Sequence, residues 1–136
     1  MIQYQDRIMK APVVGESQVL VVGGGAAGIS AALAAARQGA CVTLIERNSC
    51  LGGMATSGLV TQFGGVPYSH MTGFCKELID HLVARKGAII GPRTPFDPEI
   101  FKQVCLEMLI EQEVKVLFYA NVIGIEKEGG KSIVTV

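Results

Sequence analysis

The spacing of apolar residues changes period several times along the chain, and each change marks an element. Val19 to Val22 is an unbroken apolar run bounded by glycine, which suits a strand covered on both faces in a parallel α/β sheet. Ala26 to Gln38 is alanine-rich, places Ile29, Leu33 and Ala36 at helical spacing, and stops at Gly39, the residue best suited to the position just past a helix. Cys41 to Ile45 is a second apolar run with β-branched members, reached by so short a connection that it reads as the return strand of a βαβ unit. From Arg47 to Thr72 no period survives, and no charge follows Arg47 until Lys76. A loop of that length with apolar content predicts a segment that covers a ligand.

Helical spacing then resumes. Phe74 to Arg85 puts Phe74, Leu78, Ile79, Leu82 and Val83 on one stripe, with Lys76, Glu77, Asp80 and Arg85 outside it. Gly87 to Phe96 carries Pro92 and Pro95 and reads as a connection. Asp97 caps the next helix, with Pro98 at its first position and Glu99 beside it, and the helix runs to about Gln112. Phe101, Val104, Cys105, Met108 and Leu109 form its core face. Val114 to Tyr119 reads as a third buried strand, and Val122 to Glu126 with Ser132 to Val136 as a β-hairpin around Gly129 and Gly130.

Length and charge narrow the function. With 136 residues the chain has material for about one domain. Twelve basic residues balance twelve acidic ones, so no basic footprint for nucleic acid or an anionic membrane exists. Cys41, Cys50, Cys75 and Cys105 show no C-x-x-C pair and no metal-ligand spacing, and no signal peptide precedes them, which implies a reduced, cytoplasmic setting and no metal. Met1 to Lys10 reads as a short lead-in. Ser17 to Ala36 is uncharged and long enough to span a bilayer, but its strand-like start and the triple glycine Gly23 to Gly25 break any continuous helix. Seventeen glycines are nearly twice the usual share of about 7%, which points to backbone held close to something.

Gly23, Gly25 and Gly28 form G-x-G-x-x-G between the first strand and the first helix, and Glu46 stands at the end of the second strand. This is the layout of a dinucleotide site. The first glycine permits the tight turn, the second lets backbone approach a pyrophosphate, and the third lets helix pack on strand. The amides of Gly25, Ala26, Ala27 and Gly28 at the helix start supply positive potential, so the diphosphate needs no lysine or arginine. The carboxylate of Glu46 accepts from ribose hydroxyls and repels a 2'-phosphate. Up to this residue NAD and FAD are not distinguished.

The following segment, Glu46-Arg47-Asn48-Ser49-Cys50-Leu51-Gly52-Gly53-Met54-Ala55-Thr56, resembles the glutathione-reductase-type FAD-binding Rossmann fold through its Gly doublet six residues after the acid. More narrowly, Val19 to Val60 resembles the broad family of FAD-dependent oxidoreductases, and Phe96 to Val104 and the final strand and hairpin are similar to it more loosely. The resemblance implies an α/β, Rossmann-like three-layer FAD-binding domain with a parallel sheet plus a hairpin, spanning residues 1–136. It implies FAD contacts at Gly52, Gly53, Met54, Ala55 and Thr56 beside the loop, with Arg47 near adenine. The family's later Ala-Thr-Gly-Asp-like strand end and substrate domain have no match before Val136, so the chain reads as truncated, with a free first-strand edge open to self-association. The expected function is the FAD-binding part of an oxidoreductase that moves hydride or electrons to an unknown small-molecule substrate. The alternative is a stand-alone NAD-type or regulatory nucleotide module without catalysis.

No acid, base or nucleophile stands out. His70 lies in the uncharged loop, where bonding to backbone is a sufficient role, and His81 falls on an exposed helix face. Disulfide oxidoreductases place a second cysteine five residues after the first, but Ala55 stands five after Cys50, which contradicts a dithiol mechanism. Cys75 and Cys105 suit helix cores, and Tyr68 suits a loop anchor as well as a ligand contact.

Overall fold

The computed structural model describes residues 10–136. The expected lead-in therefore lies, but for Lys10, outside the described residues. Strand β1 (Val19–Val22), helix α1 (Ala26–Arg37) and strand β2 (Val42–Ile45) form the expected unit, with β1 and β2 parallel and Val19 opposite Val42. After the long loop come α2 (Gly73–Ala84), α3 (Pro98–Glu111) and β5 (Lys115–Leu117). Strand β5 pairs in parallel with the far side of β2, so the sheet order is β1-β2-β5. Its regular part is shorter than the expected Val114 to Tyr119 because Glu113 and Tyr119 both take left-handed backbone at its flanks.

Central position in the sheet makes β2 the covered strand, with all four residues buried. Strand β1 departs from the expected cover on both faces. Val19 and Val21 pack into the core, but Leu20 and Val22 are 36% and 56% exposed. The reason is topological: the apolar run is continuous because the strand is parallel, yet β1 lies at the sheet edge, and among the described residues no strand pairs with its outer side. No helix among the described residues is long and apolar enough to cross a membrane.

Helix α3 starts as its sequence requires. The Asp97 carboxylate accepts the backbone N–H of Glu99 at 2.7 Å and of Ile100 at 3.3 Å, and Pro98 opens the first turn. All five core-face residues of α3 are buried, joining Ile29 and Leu33 of α1 and Leu78 and Leu82 of α2 in one cluster. Arg37 on α1 pairs with Glu77 on α2 through two hydrogen bonds, which holds the Glu77 carboxyl below its ordinary range. That contribution is present at neutral pH and fades as acid titrates the carboxylate; at this exposure it is worth at most about 1 kcal/mol.

The segment expected to be one long loop contains more structure. A single 3-10 turn spans Gly53–Ala55, another spans Tyr68–His70, and β3 (Gln62–Phe63) pairs antiparallel with β4 (Thr94–Pro95), inside what reads in sequence as a plain connection. Two-residue strands carry no readable period, and Pro95 argues against one, but Pro is admissible on a sheet edge. Phe63 stacks with Phe96, and Phe96 with Phe101, both at 4.9 Å between ring centres, which ties the loop to α3. The Tyr68 hydroxyl donates to Asp80 and accepts from Lys76 Nζ at 3.0 Å, so Tyr68 serves as the loop anchor on α2.

The hairpin is β6 (Gly124–Glu128) and β7 (Lys131–Thr135), two residues off the expected start of β6 and joined by Gly129 and Gly130 with positive φ. Cys105 is fully buried, and burial pushes its thiol up to about 12, whereas Cys41 is exposed. Titration of the native protein with a disulfide reagent at pH 8 should therefore modify Cys41 rapidly and leave Cys105 untouched until denaturant is added. Rapid native labelling of Cys105 would show that α3 does not pack as described.

Candidate functional site

The C-terminal ends of β1 and β2, the start of α1 and the loop after β2 converge on one surface. Gly23 follows β1, and its N–H donates to the Ile45 carbonyl at 2.7 Å. Gly25 is the residue before α1, no side chain caps that helix, and the first amide bonded within it is that of Ile29, to the Gly25 carbonyl. Among the described residues the N–H groups of Ala27 and Gly28 make no hydrogen bond. They are the orphan donors of a helix start, and they carry its positive end.

The chain itself requires glycine at two of the motif positions, at Gly23 by its φ of +100° and at Gly28 by close packing. A Cβ built on Gly28 would stand 1.8 Å from the Gly23 carbonyl oxygen, so this residue is glycine to let α1 touch the turn. A Cβ on Gly25 would meet nothing within 4 Å, and its φ of −75° suits any residue. Nothing within the chain demands glycine there.

Glu46 is 5% exposed and faces this loop. Its Oε2 accepts the N–H of Gly24 at 2.6 Å and its Oε1 accepts the N–H of Asn48 at 2.7 Å. A carboxylate offers roughly four lone-pair sites, so about two remain for hydroxyl donors after these bonds. No cation pairs with it among the described residues; the two amides offset its desolvation. Glu46→Gln should cost about 1–3 kcal/mol of stability, because an amide nitrogen would face one of these N–H groups. Chemical denaturation of the two proteins at pH 7 measures it, and equal midpoints would remove Glu46 from the loop's support.

The Gly doublet is brought against the loop. Gly52 donates to the Gly24 carbonyl at 2.8 Å and forms a parallel bridge with Gly25, while a Cβ on Gly53 would stand 3.2 Å from the Gly25 Cα. Met54 is 68% exposed beside them and Ala55 is half-buried. Arg47 is exposed on the surface after Glu46. Thr56 is buried, and its hydroxyl turns inward to donate to the Leu51 carbonyl at 2.6 Å.

Sequence reasoning missed Gly24. A Cβ there would lie 2.6 Å from Leu51 Cδ2 and 3.1 Å from Glu46 Oε2, so the middle glycine lets the acid and the doublet close on the loop. The signal was present as a third consecutive glycine that the G-x-G-x-x-G spacing does not use. His70 is exposed, with Nδ1 3.1 Å from Ser69 Oγ, and lines an open cleft of about 440 Å³ with Phe63, Met71 and Cys75. A second open cleft of about 520 Å³ runs along the outer face of α2. Neither is lined by a residue of the glycine loop.

Known proteins share this fold. The family described as FAD dependent oxidoreductase matches residues 18–136. Among solved structures, Lactococcus lactis thioredoxin reductase superposes with a TM-score of 0.58 at 22% identity over 88% of this chain and 30% of its own. THI4 of Thermovibrio ammonificans gives 0.54 at 18% identity over 87% of this chain and 45% of its own. The p-nitrophenol 4-monooxygenase PnpA of Pseudomonas putida DLL-E4 gives 0.59 at 19% over 85% and 34%. At these identities the likeness is one of fold, and the chain spans less than half the length of each of these proteins.

Proposed function

Because the chain belongs to the FAD-dependent oxidoreductase family, we propose that its glycine loop, Glu46 and Gly doublet hold FAD for an oxidoreductase whose substrate these residues do not specify. The observation that carries this reading is Gly25, open in front and unneeded by the fold. The diphosphate fits against Gly23, Gly25 and the amides of Ala26, Ala27 and Gly28, where the helix end supplies the compensating charge. The remaining lone pairs of Glu46 accept the adenosine ribose hydroxyls, and its charge disfavours a phosphate on that sugar. Gly52 and Gly53 let their segment close against Gly24 and Gly25, and the exposed Met54 and half-buried Ala55 that follow extend the proposed surface toward the flavin end of the cofactor. Arg47, exposed after the acid, is placed for the adenine edge.

When bound, FAD supplies hydride or electron transfer at its ring; this chain supplies binding and orientation. No side chain of the site is assigned an acid or base role. Equilibrium dialysis of the purified chain against FAD and against NAD, with absorbance spectra of the retained fraction, tests the reading. Retention of FAD with flavin absorption supports it. Tight NAD binding without flavin affinity would instead make the chain a nucleotide module without catalysis, and retention of neither would reject both.

A further inference from the structure

We infer that Thr56 is a positioning residue for the cofactor: without touching it, the Thr56 hydroxyl holds the Gly52–Gly53 pair in place against the phosphate loop. The inference rests on the FAD reading above and extends it to a residue that acts from behind the binding surface.

Gly52 and Gly53 have φ of +107° and +55°, a left-handed pair with no side chains of its own to fix it. Something else must hold it, because a flexible pair would have to be ordered each time a ligand binds. Thr56 supplies the hold in two ways. Its hydroxyl donates to the Leu51 carbonyl at 2.6 Å, and among the described residues no other donor reaches that oxygen. Its Cγ2 and Oγ1 fill the space beside Gly52, standing 2.5 and 2.7 Å from where a Cβ on Gly52 would be, with the Phe101 ring at 3.1 Å. Thr56 thus packs against the doublet at 2% exposure.

The connection to the binding surface is short. Leu51, whose carbonyl Thr56 engages, packs its side chain over Gly24, and Gly52 next to it donates to the Gly24 carbonyl. Gly53 lies against Gly25. Further turns close the segment behind them: Thr56 and Gly58 both donate to the Gly53 carbonyl, and Val60 donates to that of Met54. Removing the hydroxyl leaves the buried Leu51 carbonyl, next to the doublet, unpaired while these backbone bonds remain.

The experiment compares wild type, Thr56→Val and Thr56→Ser. Valine keeps the shape and removes the hydrogen bond; serine keeps the hydroxyl. Amide exchange of the ligand-free proteins is read at Gly52 and Gly58, whose N–H groups donate to the Gly24 and Gly53 carbonyls, against the interior of α1, together with FAD affinity. In Thr56→Val, exchange at the two glycines should rise at least tenfold while that of α1 changes little, and FAD should bind about tenfold more weakly. Thr56→Ser should recover most of both. Unchanged exchange at the glycines in Thr56→Val would overturn the inference. So would equal acceleration in α1, which marks a merely structural residue, or a serine variant as impaired as the valine one. If wild type retains no FAD while the exchange pattern appears as described, the FAD reading fails and the hold of Thr56 on the doublet stands.

Discussion

With aspartate in place of Gly25, the protein should melt at or slightly above the wild-type temperature and lose its affinity for FAD. Gly25 precedes a helix that no side chain caps, and its backbone already has the extended geometry of a capping residue. Aspartate there accepts orphan amides of the first turn and complements the helix dipole, for a gain of a few tenths of a kcal/mol over glycine. Its side chain enters open space, since nothing lies within 4 Å of the Cβ position. The same carboxylate would occupy the place proposed for the diphosphate and repel it. A loss of at least about 100-fold in affinity, roughly 2.8 kcal/mol, is expected. Thermal melts and dialysis on one preparation give both readings. A variant that binds FAD as wild type does would mean that the diphosphate does not rest at Gly25.

Alanine at Gly28 should do the opposite, breaking the fold before the site. Its Cβ would stand 1.8 Å from the Gly23 carbonyl oxygen, a backbone atom that can move only if α1 and β1 separate. Ala32 and Leu33, fully packed one turn on, would move with the helix. A cost of about 3 kcal/mol is expected, near the upper end for overpacking. For a domain of this size that lowers the melting temperature by roughly 10 °C. Scanning calorimetry checks it, and a shift under a few degrees would mean that the helix and turn are not in contact. Together the two variants separate the packing role of Gly28 from the ligand role proposed for Gly25.

The hold exerted by the loop between β2 and α2 was less readable than the strands and helices around it. Its anchors are single long-range contacts: Tyr68 on Asp80 and Lys76, and Phe63 on Phe96. Each joins residues whose pairing depends on where α2 and α3 come to lie. Neither has a period or a spacing from which it could be inferred. The helices differ because their signals are local. The Asp97-Pro98 start of α3, the stop at Gly39 and the five-residue core face follow from hydrogen bonding and the 3.6-residue repeat alone. Edge position is likewise non-local, which is why β1 reads in sequence like β2 and yet exposes Leu20 and Val22.

The sequence by itself determined the βαβ order, the glycine loop at its first turn and the acid at the end of β2, since each rests on backbone geometry over a few consecutive residues. Only the tertiary structure decided what each of those residues does. It showed Glu46 bound to the amides of Gly24 and Asn48, Gly52 bridged to Gly25, and Thr56 turned from the surface toward Leu51. Such roles are set by which backbone groups meet across gaps of many residues, and a buried donor or acceptor takes whatever partner the packing of α1 and α3 brings within reach.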